Sequence, residues 1–126
     1  MKILIASSPA VGHLNPLLSV TQVLAAAGHE VAVVTGSAFR SRVEANGIQF
    51  FPLPADADFD PNDVFSSVPE LRVIPPGLEW LRIVFERLFV DAIPAQNQGL
   101  LDALRQFPAE VVVADDMLFG VLPILL

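Results

Sequence analysis

Short, almost unbroken apolar runs alternate with longer stretches in which apolar residues recur every three or four positions. Ile3-Leu4-Ile5-Ala6, Val31-Ala32-Val33-Val34, Ile48 to Leu53 and Val111-Val112-Val113-Ala114 are the runs. Leu17, Val20, Val23 and Leu24 keep helical spacing, and Gly28 follows as a stop. Asn15 and Pro16 suggest an N-cap and a proline at the first helical position, so this helix is expected to start there. A second helix is expected from about Ser37 to Asn46, ended by Gly47. Continuous apolar strands separated by helices imply a parallel sheet covered on both faces, a doubly wound, Rossmann-like α/β fold. With the common strand order 3-2-1-4, the first and fourth strands are neighbours.

From Pro54 to Gly77 the rhythm breaks. Asp56, Asp58, Asp60, Asp63 and Glu70 stand against Arg72 alone, among five prolines. A connection this long without periodicity is expected to be a functional or solvated acidic loop. It lacks the glycine and terminal glutamate of a calcium loop. Leu78 to Ala92 is then amphipathic, with Trp80, Phe85 and Phe89 on its apolar side, and Pro94 restarts or kinks a helix that runs to about Gln106. Met117 to Leu126 is nearly all apolar, which suits a chain cut within an element or a surface for a partner.

Composition narrows the function. At 126 residues the chain is one domain at most, and no apolar run approaches the ~20 residues needed to span a bilayer. The start does not resemble a signal peptide, and with no cysteines there are no disulfides, no thiolate chemistry and no cysteine-bound zinc, which fits a cytoplasmic setting. A net charge of −7 with scattered basic residues argues against nucleic acid as a partner.

Ligands of open α/β sheets bind beyond the carboxyl ends of the strands, where strand order reverses. The loop after strand one carries His13, and the loop after strand four opens with Asp115-Asp116. An imidazole and a carboxylate are thus expected at one crevice. There the carboxylate can fix the ring tautomer and stabilise the imidazolium formed when the other nitrogen takes a proton from an alcohol or phenol. Either aspartate can fill that role. Ser7 and Ser8 lack a nucleophile-elbow motif, and neither a Gly-x-Gly-x-x-Gly nor a Walker motif is present. His29 falls at the opposite sheet edge and is expected to be structural. On spacing alone, Trp80, Phe85 and Phe89 are expected in the core.

Met1 to Ile5, Gly12-His13-Leu14-Asn15-Pro16 and Leu24 to Val31, with Val43 to Phe50 and Pro108 to Gly120, resemble the amino-terminal domain of the UDP-glycosyltransferase superfamily, its bacterial macrolide and natural-product members most of all. The resemblance is weakest between Pro54 and Arg105. It implies the amino-terminal half of a GT-B fold, in which His13 is the general base of an inverting, metal-independent sugar transfer and Asp115 its dyad partner, with Asp116 a possible substitute. The acceptor, a hydrophobic hydroxylated small molecule, would lie against Gly12, Trp80, Phe85, Phe89 and Asp116. The sugar donor, a UDP- or dTDP-linked nucleotide sugar, would be a co-substrate rather than a cofactor, held by a carboxyl-terminal domain that these residues do not contain. That domain, or a partner chain, is expected to meet residues 117–126. The isolated chain is therefore expected to be inactive. A second reading is a non-catalytic, truncated relative that binds a ligand or partner. A third, a response-regulator-like module, is disfavoured because the aspartates follow the fourth strand rather than the third.

Overall fold

The computed structural model describes all 126 residues. Four parallel strands form one sheet in the order β3-β2-β1-β4: β1 is Lys2–Ala6, β2 Glu30–Thr35, β3 Gln49–Pro52 and β4 Val111–Ala114. The register pairs Ala6 with both Val34 and Ala114, so the carboxyl ends of β1, β2 and β4 are level.

The unbroken apolar runs are explained by the two faces they serve. Side chains alternate along a strand, so a sheet covered on both sides needs apolar residues at every position. Ile3, Ile5, Val31, Val33 and Phe50 face one layer, with Leu14 and Leu18 of α1 (Val11–Ala26) and Val43 of α2 (Arg40–Glu44). Leu4, Ala6, Ala32, Val34 and Phe51 face the other, with Leu100 and Ala103 of a later long helix. Each such side chain taken fully out of water contributes about 1.5–3 kcal/mol, which the conformational entropy of folding largely offsets.

Helix α1 begins four residues before the expected N-cap. Ala10 is the capping residue, extended at φ −135° and ψ 136°, and its carbonyl accepts from the N–H groups of His13 (3.1 Å) and Leu14 (2.9 Å). Asn15 is therefore interior and Pro16 lies inside the helix. A proline there cannot donate to the carbonyl four residues back, Gly12, so one backbone bond is forgone. The early start has a compensating effect: it places Leu14 one turn ahead of Leu18, and both are buried against β1 and β2. It also puts Gly12 and His13 on the first helical turn. The helix ends as expected: Gly28 adopts φ 91°, its N–H bonds to the Ala25 carbonyl, and the His29 N–H reaches the Leu24 carbonyl. This paired closure leaves few carbonyls unpartnered and favours glycine at the left-handed position.

The stretch after β3 is more ordered than a plain loop. Residues 55–57 and 69–72 form 3-10 turns, and α3 (Val64–Ser67) lies between them. Val68 and Leu71 are buried with Leu88 in a small third cluster, packed on by Trp80, Ile83 and Phe59. Its apolar residues are spaced for single turns, too short for a periodic signal. Helix α4 (Leu78–Phe85) widens into a π-helical turn at Glu86–Val90 before α5 (Ile93–Gln106) restarts with Pro94 in its first turn. The final residues form a 3-10 turn at Phe119–Val121 and α6 (Leu122–Leu125). Gln96, fully buried, accepts the Gly120 N–H at 2.8 Å and fastens this turn to α5. No helix is long and apolar enough to cross a membrane.

Candidate functional site

The site lies where β1 and β4 end side by side. The Asp115 N–H continues the ladder by donating to the Ala6 carbonyl at 3.0 Å, which aims the Asp115 side chain across the end of β1. There the backbone N–H of Ser8 donates to one carboxylate oxygen. The other oxygen accepts the Met117 N–H at 2.7 Å and faces His13 Nδ1 at 3.2 Å. The Asp115 side chain is 6% exposed and that of His13 31% exposed. A buried carboxylate with two backbone donors is locked in place, and charge-assisted bonds of this kind are about twice as strong as neutral ones. His13 is held through Nδ1, which leaves Nε2 as the ring nitrogen not engaged by Asp115.

Of the two aspartates left open by the sequence, Asp115 contacts the ring. Asp116 is exposed, yet one oxygen of it lies with a ring nitrogen of His13 and an oxygen of Asp115 inside a 4.8 Å circle of potential metal ligands. Both Asp115 oxygens already accept backbone N–H groups. The arrangement is accordingly that of an oriented histidine–carboxylate pair, with His13 and Asp115 on neighbouring strand ends.

An aromatic wall stands over the histidine. The Phe89 ring lies 6.5 Å from the His13 ring, 5.8 Å from Phe85 and 6.1 Å from Phe59. Phe85 in turn lies 5.9 Å from Phe119. Phe89 sits in the π-helical turn, where the extra residue shifts the helix face. The expectation that Phe85 and Phe89 belong to the core is thus only half met: Phe85 is 43% exposed and Phe89 is partly buried. Trp80 does pack as core, against the Val68–Leu71–Leu88 cluster, and is not one of the rings around His13. Gly12, next to His13, has nothing within 4 Å of where a Cβ would stand, so its side faces open space.

Sequence reasoning missed Phe59, Phe119 and Ser8 in this role. Phe59 stands directly between Asp58 and Asp60, and an apolar ring flanked by two carboxylates is the one signal that could have marked it. Ser8 was weighed as a nucleophile, whereas it is its backbone N–H that matters, and no side-chain pattern reports a backbone donor. His29 does stand at the opposite edge, where its Nδ1 is 3.3 Å from the Met1 amino group.

Three shallow hollows mark the surface, one of them, about 360 Å³, lying away from the site between β3 and α5 at Phe51, Pro54, Gly99 and Gln106. A second, about 280 Å³, is bounded by Asp56, Asp58, Phe59, Arg87 and Leu88. The third, about 290 Å³, runs along the outer side of β4 between Val112, Leu118, Leu122 and Leu125, with Asp115 and Asp116 at its rim.

Known proteins resemble this chain in sequence and in fold. Residues 3–98 match the glycosyltransferase family 28 N-terminal domain, a span that includes His13, Phe59, Phe85 and Phe89 but stops short of Asp115 and Phe119. The chain is 40% identical to UDP-glucosyltransferase B1 of Starmerella bombicola over 97% of its own length and 29% of that protein's. It is 34% identical to 4'-demethylrebeccamycin synthase of Lentzea aerocolonigenes over 94% of its length and 28% of that protein's. Among solved structures, the glycosyltransferase of kitacinnamycin superposes with a TM-score of 0.69 at 19% identity, covering 98% of this chain and 27% of that one. The calicheamicin glycosyltransferase superposes with a TM-score of 0.59 at 26% identity, covering 90% of this chain and 26% of that one. The chain spans less than a third of the length of these relatives. With a family match over most of its residues and a parallel α/β fold that superposes on those neighbours, the chain belongs to the glycosyltransferase family 28 N-terminal domains, the amino-terminal part of GT-B glycosyltransferases.

Proposed function

We propose that this chain is the acceptor-binding part of an inverting glycosyltransferase, with His13 as the general base and Asp115 as the residue that orients it. The observation that carries the reading is the 3.2 Å approach of His13 Nδ1 to Asp115 Oδ1 at the adjoining carboxyl ends of β1 and β4. Bonded through Nδ1, the ring offers Nε2 to an acceptor hydroxyl. As the acceptor oxygen attacks the anomeric carbon of a nucleotide sugar, its proton passes to Nε2 and the nucleoside diphosphate leaves with the bonding electron pair. Asp115 stabilises the imidazolium that results, and general-base assistance of this type contributes about 10²–10⁴-fold in rate. The Phe59, Phe85, Phe89 and Phe119 rings supply an apolar surface beside the reacting hydroxyl, which suits a hydrophobic acceptor.

The donor in this reading is a nucleotide sugar, UDP- or dTDP-linked, bound by residues beyond these 126. The chain is expected to bind hydroxylated aromatic compounds, to bind UDP no better than background, and to transfer no sugar unaided. The test joins it to the carboxyl-terminal portion of the S. bombicola relative and measures glucose transfer to a phenol. His13→Ala is expected to reduce turnover by at least about 10²-fold while acceptor binding persists. Turnover that is indifferent to the substitution would remove His13 from the mechanism.

A further inference from the structure

We propose that Asp116 is a specificity-determining residue: it selects acceptors bearing a protonated amine, or no charge, over acceptors bearing a carboxylate. The inference rests on the acceptor reading given above and goes beyond it by assigning the charge of the acceptor.

The two neighbouring aspartates have divided roles. Asp115 is buried and fully occupied by Ser8, Met117 and His13. Asp116 is exposed, with an oxygen inside the same 4.8 Å circle as the His13 nitrogen, and no arginine, lysine or hydrogen-bond donor is paired with it. A carboxylate left unpaired beside a reacting centre is available to the ligand. The basic side chains of the helix that carries the aromatic wall are already neutralised. Arg82 is held by Glu79 at 2.6 Å and Glu86 at 3.0 Å, and Arg87 by Glu70 at 2.6 Å and Asp91 at 3.7 Å. Arg87, which also borders the hollow beside Phe59, therefore brings no free cation to the site.

The wall itself favours positive charge. Phenylalanine faces are negative, and a cation within about 6 Å of a ring centre is attracted to it. Phe85, Phe89 and Phe119 form a continuous patch leading away from His13. Phe59 joins it from a segment that carries Asp58 and Asp60. Asp58 is already occupied, since both of its oxygens accept the Ser37 N–H at 3.1 Å. An acceptor whose hydroxyl meets His13 then has both the Phe89 ring and the Asp116 carboxylate as neighbours of the same imidazole. An ammonium group there gains from both. A carboxylate meets one like charge, at Asp116, and ring faces that repel it.

The probes are three phenols that share a ring and a hydroxyl: tyramine, 4-ethylphenol and 3-(4-hydroxyphenyl)propionate. Each is titrated into the 126-residue chain while the ring signals of its two histidines are followed, His13 as reporter and His29 as the distant control. The expected affinity order is tyramine, then 4-ethylphenol, then the propionate, with about fivefold between successive members, the size of one partly exposed ion pair with a ring contact. The spread is expected to shrink at 0.5 M salt. In Asp116→Asn the three affinities are expected to converge to within about twofold, what exposed charge pairs of small effect leave behind. Equal affinities in the unmodified chain, or a fivefold spacing that Asp116→Asn leaves undiminished, would overturn the assignment and leave the acceptor site standing. If none of the three moves the His13 signal, the acceptor reading fails and this inference falls with it.

Discussion

Ser8 and Asp115, 107 residues apart in sequence, are joined by a hydrogen bond from the backbone N–H of the first to the carboxylate of the second. This bond closes the β1–β4 junction and determines where the His13 partner stands. Because the donor is backbone, the link does not need the Ser8 hydroxyl, and it depends on an acceptor oxygen at position 115.

Replacing that acid separates two effects. Asp115→Ala leaves the Ser8 and Met117 N–H groups without their acceptor, and each unsatisfied buried donor costs about 1–3 kcal/mol. Asp115→Asn keeps one carbonyl oxygen and is expected to lose less than half as much. Chemical denaturation of the two variants should show this gap. In a transfer-competent fusion, both variants are expected to lose activity, because neither can stabilise the imidazolium. An asparagine variant with full activity would show that Asp115 serves folding alone.

Phe85 offers a cleaner view of the aromatic wall than Phe89, because it is 43% exposed and belongs to none of the buried clusters. Phe85→Ala is expected to weaken binding of a phenol about three- to tenfold, the equivalent of one lost aromatic pair. Its effect on the unfolding midpoint should be slight. Calorimetric titration beside thermal melting distinguishes this from simple loss of packing.

Gly120 is a packing test. A Cβ there would stand 2.3 Å from the Gln96 Cβ and 2.7 Å from the Asn97 backbone nitrogen, closer than real atoms approach. Gly120→Ala must therefore push the Phe119–Val121 turn off α5. It is expected to cost about 1–3 kcal/mol, as overpacking does, and to move Phe119 away from Phe85. Urea denaturation gives the first figure, and weaker phenol binding would register the second.

The outer edge of β4 has no neighbouring strand, and Val111, Leu122 and Leu125 beside it are exposed. Unpaired edges flanked by apolar side chains promote association. The 126-residue chain is expected to self-associate as its concentration rises, and Val111→Lys with Leu125→Glu to reduce this. Sedimentation velocity over a concentration series checks it; a monomer at every concentration would show that the edge is already protected.

The apolar runs at residues 3–6, 31–34, 48–53 and 111–114 determined the sheet, because a strand covered on both faces takes apolar residues at nearly every position and four such runs separated by helices admit few arrangements. The same logic placed His13 and Asp115 together, since a parallel sheet brings all its carboxyl ends to one side. The start of α1 was misjudged from sequence because Asn15-Pro16 is a good local start signal, and burial of Leu14 outweighs one lost backbone bond. The segment from Pro54 to Gly77 has no period to detect. Its short turns are held by contacts with Leu88, a residue far along the chain. Which aspartate meets the histidine, and which phenylalanines face it, depended on a backbone donor at Ser8 and on one extra residue in the helical turn at 86–90. Both are matters of three-dimensional register, which only the packed chain decides.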